Sequence, residues 1–124
     1  MVDVEKEVEE VNPPTIQRIF GDSAMARILD FLTLYRRLDY SKTDIAKNSG
    51  VGWKTLYRLW PILERYGLMK MTRKIGRAQL YRLNTENPIA RTLAQLALQI
   101  ADHDNEPIIK EQIAKEAVKV EARS

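Results

Sequence analysis

Between Asp44 and Leu59 the chain reads DIAKNSGVGWKTLYRL, and its apolar residues follow a helical pattern that Gly50 and Gly52 interrupt. Glycine inside a helix costs roughly 0.5–1 kcal/mol relative to alanine. A helix built only to pack a core gains nothing from two of them. A pair of short helices crossing at a sharp turn needs them. Ala46 is small enough for the two helices to approach. Gly50, four positions on, lets the chain leave the first helix in the left-handed conformation. Val51 and Leu56 then fill the angle between the helices, with Leu59 behind them. These residue types at these offsets predict a helix-turn-helix.

The flanking segments extend the pattern. Asp22 or Ser23 is placed to cap a helix carrying Met25, Ile28, Leu29, Leu32 and Tyr35 at helical spacing. Ser41 caps the helix before the turn, with Asp44 as a short version of the capping-box acid. The helix after the turn runs from about Trp53 to Tyr66, and Gly67 ends it. Leu68 to Leu83 alternates partly around Lys74-Ile75-Gly76-Arg77, which predicts a β-hairpin. Asn87-Pro88 opens another helix as cap and first helical residue. Asp104-Asn105 is expected to break it, and Pro107 to open a last amphipathic segment through Ile109, Ile113, Ala117 and Val120. The expected fold class is mainly α with a small two-stranded hairpin. Its parts are an acidic flexible tail at 1–14, a helix-turn-helix domain with a hairpin at 15–84, and a C-terminal helical dimerisation region at 85–124.

Two stretches, SKTDIAKNSGVGWKTLYRLW and GLMKMTRKIGRAQLYRLN, resemble the winged helix-turn-helix of prokaryotic and archaeal transcription regulators, broadly of the ArsR and MarR type. The likeness covers roughly Asp22 to Asn84, and FGDSAMARILDFL is similar to the first helix of archaeal members. The resemblance implies that the helix from Trp53 enters the DNA major groove and that the hairpin, the wing, meets the backbone or minor groove. The chain departs from the pattern in two ways. The metal-sensing branch uses cysteine and histidine ligands, whereas this chain has no cysteine and one histidine. Pro61 also lies inside the third helix, where the family pattern does not require it.

Charge points the same way. The formal net charge is only +3, yet Arg36 to Leu83 holds twelve basic and three acidic residues, a local balance of +9. An uneven basic segment of this kind is the footprint of a polyanion partner. On a helical wheel with Leu56, Leu59, Trp60 and Leu63 inward, Lys54, Arg58 and Arg65 point outward, and Thr55 and Tyr57 lie on the shoulders. Lys54 and Arg58 suit guanine O6 and N7, and Thr55 suits a thymine methyl or a phosphate. Trp53 sits at the tip and either joins this surface or packs against the first helix. Tyr57 is expected on sugar-phosphate. Arg73, Lys74 and Arg77 at the hairpin turn suit phosphates or a narrow minor groove, although such cations also protect an exposed strand edge. Ser41, Lys42 and Thr43 open a helix whose N–H groups can hold a phosphate.

The helix from Asn87 to Asp102 is apolar around too much of its circumference for a monomer surface. Ile89, Leu93, Leu96, Ala97 and Ile100 form one stripe, and Ala90, Ala94, Leu98 and Ala101 a second, small-residue face. Leu93, Ala94, Leu98 and Ala101 are therefore the expected homodimer interface, unless Ile108 to Val120 folds back over it. Asp102-His103-Asp104 is read as a solvated helix end rather than a metal site, and no cofactor is expected. The sequence lacks a P-loop, a Gly-x-Ser-x-Gly elbow and a His-Glu-x-x-His motif, so no enzyme is expected. MVDVEKEVEEV is not a secretory signal, and no apolar run approaches a membrane span. The expected place is the cytoplasm, on the nucleoid. Three functions fit: a dimeric sequence-specific regulator on double-stranded DNA, a DNA-coating architectural or segregation adaptor recruiting a second protein through the acidic tail or C-terminal helix, and a protein-interaction module.

Overall fold

The computed structural model describes the backbone of residues 15–123, and side chains through Asn105 together with Ala114. The expected tail at 1–14 and the side chains of Ile109, Ile113, Ala117 and Val120 lie outside the described residues. The elements are α1 (Thr15–Phe20), α2 (Ala24–Leu34), α3 (Lys42–Ser49), α4 (Trp53–Arg65), β1 (Met69–Ile75), β2 (Ala78–Leu83) and α5 (Pro88–Arg123).

The expected caps form. The Ser23 hydroxyl accepts from the Ala26 N–H at 3.1 Å, and Ser41 from the Asp44 N–H at 3.1 Å. Asp22, the alternative cap, instead grips the Arg27 guanidinium at 2.5 and 2.7 Å. Asn87 Oδ1 accepts from Ile89 and Ala90 at the start of α5. At the turn, Gly50 takes φ 68° and ψ 30°, and its N–H closes the end of α3 onto Ala46 and Lys47. The N–H of Leu68, beyond Gly67, returns to the Leu63 carbonyl at 2.9 Å to finish α4. Pro61 lies inside α4 on its exposed side.

The hairpin pairs Met69 with Leu83 and Ile75 with Ala78, antiparallel, leaving Gly76-Arg77 as the turn. Gly76 alone of the two has positive φ, as a type II′ connection requires. The register shifts between Met71 and Arg73, so Thr72 occupies a bulge. Tyr40 and Tyr81 exchange backbone hydrogen bonds at 2.7 and 2.8 Å, tying the α2–α3 linker to the outer edge of β2.

Ile28, Leu32, Ile45, Leu56, Leu63, Leu83 and Ala90 form the centre of the main core. Ile16, Ala26 and Ala97 form a second cluster joining α1, α2 and α5. A buried carboxylate, unforeseen in the sequence, organises that second cluster. Asp30, 1% exposed on α2, accepts from Thr15 Oγ1 at 3.1 Å, from the Ile16 N–H at 2.6 Å and from the Gln17 N–H at 3.0 Å. A helix start leaves its first N–H groups without partners. For α1 the cap comes from a neighbouring helix, fourteen positions along the chain from Ile16.

The C-terminal region corrects two expectations. Asp104-Asn105 does not break the helix, and Pro107 opens no separate segment: α5 is continuous for 36 residues. At 1.5 Å per residue that is about 54 Å. A proline removes one N–H and strains one turn, but the turns on either side keep their own bonds, so the helix can continue through it. The two stripes are also divided differently. Ala90 and Ala97 are both buried, and Leu93 and Ala94 are half-buried against the main core. Ile89 and Leu98 are exposed. Small alanines let α5 lie close to the domain, so the inward face centres on them and not on the larger residues beside them.

Asp30→Ala is expected to lower stability by about 2–3 kcal/mol, since it leaves two buried donors and a part-buried one without their acceptor. A thermal or urea melt checks this. A melt equal to wild type would show that Asp30 is not what holds α1.

Candidate nucleic-acid interface

Helix α4 buries Leu56, Trp60 and Leu63 and leaves Lys54, Tyr57 and Arg58 exposed, with Thr55 half-buried, as the wheel requires. Trp53 does not enter the core. It is 47% exposed, and its ring lies 5.7 Å from that of Tyr57, one turn along the same helix and 62% exposed. Trp53, Lys54, Tyr57 and Arg58 line an open cleft of about 400 Å³.

Lys42 is placed differently from a simple phosphate contact. Its ammonium lies 4.7 Å from the centre of the Trp60 ring, 5.6 Å from Tyr57 and 5.8 Å from Tyr81. Trp60 and Tyr81 meet edge-on at 4.9 Å. A cation held over aromatic faces is worth about 0.5–2 kcal/mol. One side chain thus ties α3 to α4 and to β2. Ser41, Lys42 and Thr43 still line a cleft of about 290 Å³ with Arg77, Ala78, Gln79 and Tyr81, so the start of α3 and the hairpin turn face one space.

At the hairpin, Lys74 and Arg77 are exposed. Arg73 is held by Asp39, with Nε to Oδ2 at 3.0 Å and Nη2 to Oδ1 at 3.3 Å, and the Thr72 hydroxyl donates to the same carboxylate at 2.5 Å. The Arg73 hydrogen bond, then that of Thr72, holds the Asp39 carboxyl below the usual aspartate value, and Asp39 raises Arg73 in return. Sequence reasoning missed Asp39 because 34 positions separate it from Arg73. The available signal was its presence as one of three acids in the basic segment.

On α5, Leu93 and Ala94 pack against this chain's own core, while Leu98 stays 54% exposed and Ala101 half-buried. Asp104 pairs with Arg18, and His103 is exposed. Among the described residues no group of three His, Cys, Asp or Glu side chains is placed to hold a metal. No described helix is long and apolar enough to cross a membrane.

No protein-family model matches this sequence, and no curated protein matches it. Solved structures do. A mutant of Staphylococcus aureus MepR bound to an oligodeoxyribonucleotide is similar over 96% of this chain and 91% of its own, with a TM-score of 0.55 and 17% identity. NadR in complex with 4-hydroxyphenylacetate is similar over 98% and 93%, with a TM-score of 0.62 and 12% identity. The homodimeric winged helix-turn-helix DNA-binding domain Mb0332 of Mycobacterium bovis, a possible ArsR-family regulator, is similar over 85% and 93%, with a TM-score of 0.52 and 21% identity. The fold is a winged helix-turn-helix. In it α3 and α4 are the helix-turn-helix, and the β1–β2 hairpin is the wing.

The Asp39–Arg73 contact carries a pH signature. Its folded carboxyl value is depressed, so the contact contributes fully above the unfolded value, near 3.9, and is lost as pH falls through the lower folded value. Carboxyl-detected NMR titration should find Asp39 below the ordinary range, and Arg73→Ala should return it part of the way, Thr72 remaining. An Asp39 that titrates normally in the wild type would remove the ion pair from the wing.

Proposed function

We propose that the protein is a sequence-specific regulator of transcription that binds double-stranded DNA as a homodimer. The observation that carries this reading is the exposure of cations both on α4, taken here as the recognition helix, and on the wing. The recognition helix presents Lys54 and Arg58 to solvent, the wing presents Lys74 and Arg77, and the start of α3 faces the wing turn. Lys54 and Arg58 supply guanine contacts, while Thr55 and Tyr57 border them. Ser41, Thr43 and the first N–H groups of α3 seat a phosphate, with Lys42 adding charge from its aromatic perch. Lys74 and Arg77 lie along the backbone or in the minor groove. Arg73 joins them by exchanging Asp39 for phosphate. The oligodeoxyribonucleotide on the similarly folded MepR mutant supports a DNA partner.

The homodimer rests on α5. Leu98 and Ile89 are exposed there, and Ile19 and Phe20 are exposed on α1, which packs beside α5. The homodimeric state of Mb0332 supports pairing of this fold. A two-fold dimer would set its recognition helices about 34 Å apart, one turn of DNA. Among the proposed interface residues Leu98 and Ala101 carry the contact, and Leu93 and Ala94 back it from the core side.

Arg58→Ala is expected to weaken the preferred site by about 1–3 kcal/mol and leave non-specific binding nearly unchanged. Arg77→Ala should weaken all sequences alike and lessen the salt slope by about one. Titrations of a selected site and a random duplex at several salt concentrations measure both. Uniform loss in both mutants would show that α4 does not read bases, and a ladder of cooperative complexes on long DNA would indicate a coating adaptor.

Leu98→Glu should leave the isolated chain folded, because the side chain is exposed, and should separate the dimer by placing a carboxylate in an apolar contact. Sedimentation equilibrium of both proteins at micromolar concentration reads this. A monomeric wild type would refute the dimer.

A further inference from the structure

We infer that Trp53 and Tyr57 form an apolar base-reading cleft that receives the 5-methyl group of a thymine, beside a guanine read by Lys54 or Arg58. The inference rests on the DNA-binding reading above and names what that site selects. The two rings are the largest exposed apolar groups at the N-terminal end of α4, at positions i and i+4 of one helix face. No core residue needs them: Leu56, Trp60 and Leu63 close the interior behind them. The Tyr57 ring is steadied from one side by the Lys42 ammonium at 5.6 Å, and Trp53 leans on it at 5.7 Å. The open cleft they line is completed by Lys54 and Arg58, so two aromatic rings and two cationic side chains border one space.

The major groove of B-DNA displays hydrogen-bond donors and acceptors and one apolar group, the thymine C5-methyl. An apolar cleft on a helix entering that groove has that methyl as its match, and the two cations that share the cleft match guanine N7 and O6 or the flanking phosphates. Stacking on an unpaired base suits the cleft less well. The rings are inclined by 53°, so they offer no parallel pair between which a base can be sandwiched, and opening a duplex costs a few kcal/mol first.

The test begins with a duplex selected by the wild-type chain from a random pool. Each thymine is then replaced singly by deoxyuridine, which keeps pairing and loses only the methyl. The expected result is about a four-fold loss at one position per half-site, the worth of one buried methyl-sized group. Trp53→Ala and Tyr57→Ala, both checked by thermal melt, should bind the thymine and uracil forms alike, while Arg58→Ala keeps the difference. Uracil tolerated at every position by a wild type that still prefers its site would overturn the methyl reading and leave DNA binding standing. Tighter binding to the single strand than to the duplex would assign the rings to base stacking and overturn it too. Failure to select any duplex would overturn DNA binding and this inference together.

Discussion

At Gly50 the chain turns out of α3 with φ 68° and ψ 30°, and the direction of α4 follows from that residue. A Cβ there would find only Arg27 Nη1, at an ordinary 3.8 Å. What excludes other residues is therefore backbone conformation, about 1–2 kcal/mol for an L-residue in the left-handed region, and not lack of room. The turn is held from outside as well. Arg27 donates to the Gly50 carbonyl at 3.1 Å while its other nitrogens are fixed by Asp22. The start of α2 thereby braces the turn that sets the direction of α4. Val51 and Leu59 pack against the core on which both helices close.

The parts legible in the sequence were those whose determinants lie within a few residues of one another. Ser23 and Ser41 cap their helices, Asn87 starts α5, Gly67 ends α4, and Gly76 turns the hairpin, each through a local backbone requirement. The inward face of α4 was likewise set by helical period alone. Features made by distant pairs were not legible. Asp30 caps α1 across fourteen positions, Asp39 holds Arg73 across 34, and Lys42 meets rings from α4 and β2. Asp30 and Asp39 looked like ordinary charged residues, and Lys42 was read only as part of a phosphate-holding helix start, because nothing near any of them in sequence marks the partner. The division of faces on α5 failed for a related reason. Period alone cannot say which stripe faces inward, and the choice fell to Ala90 and Ala97, whose small size permits close approach.

The cationic charge of Arg36 to Leu83 is not all equally available to a DNA backbone. Part of it is engaged within the domain. Arg73 is paired with Asp39, and the Lys42 ammonium sits over three rings. These engagements differ physically. An exposed ion pair is worth about 0–1 kcal/mol and is screened by salt, so a phosphate can replace Asp39 at little cost. Lys42 over aromatic faces keeps its full charge for a phosphate beyond the rings, because the rings carry no net charge to cancel it.

That difference bears on how helix and wing act together. The Tyr81 ring belongs to β2, the Tyr57 and Trp60 rings to α4, and the ammonium between them to α3. Tyr40 meanwhile bonds to the backbone of Tyr81, and its ring meets that of Phe31 on α2 at 4.7 Å. Any tilt of the wing relative to α4 must open one of these contacts. The wing and α4 are thus held to one geometry before any partner arrives, and a duplex bound as proposed would require little further ordering. It also follows that Tyr57 serves two ends. Its ring holds Lys42 at 5.6 Å and lines the cleft with Trp53, so the cation that braces the wing also steadies one lining residue of that cleft.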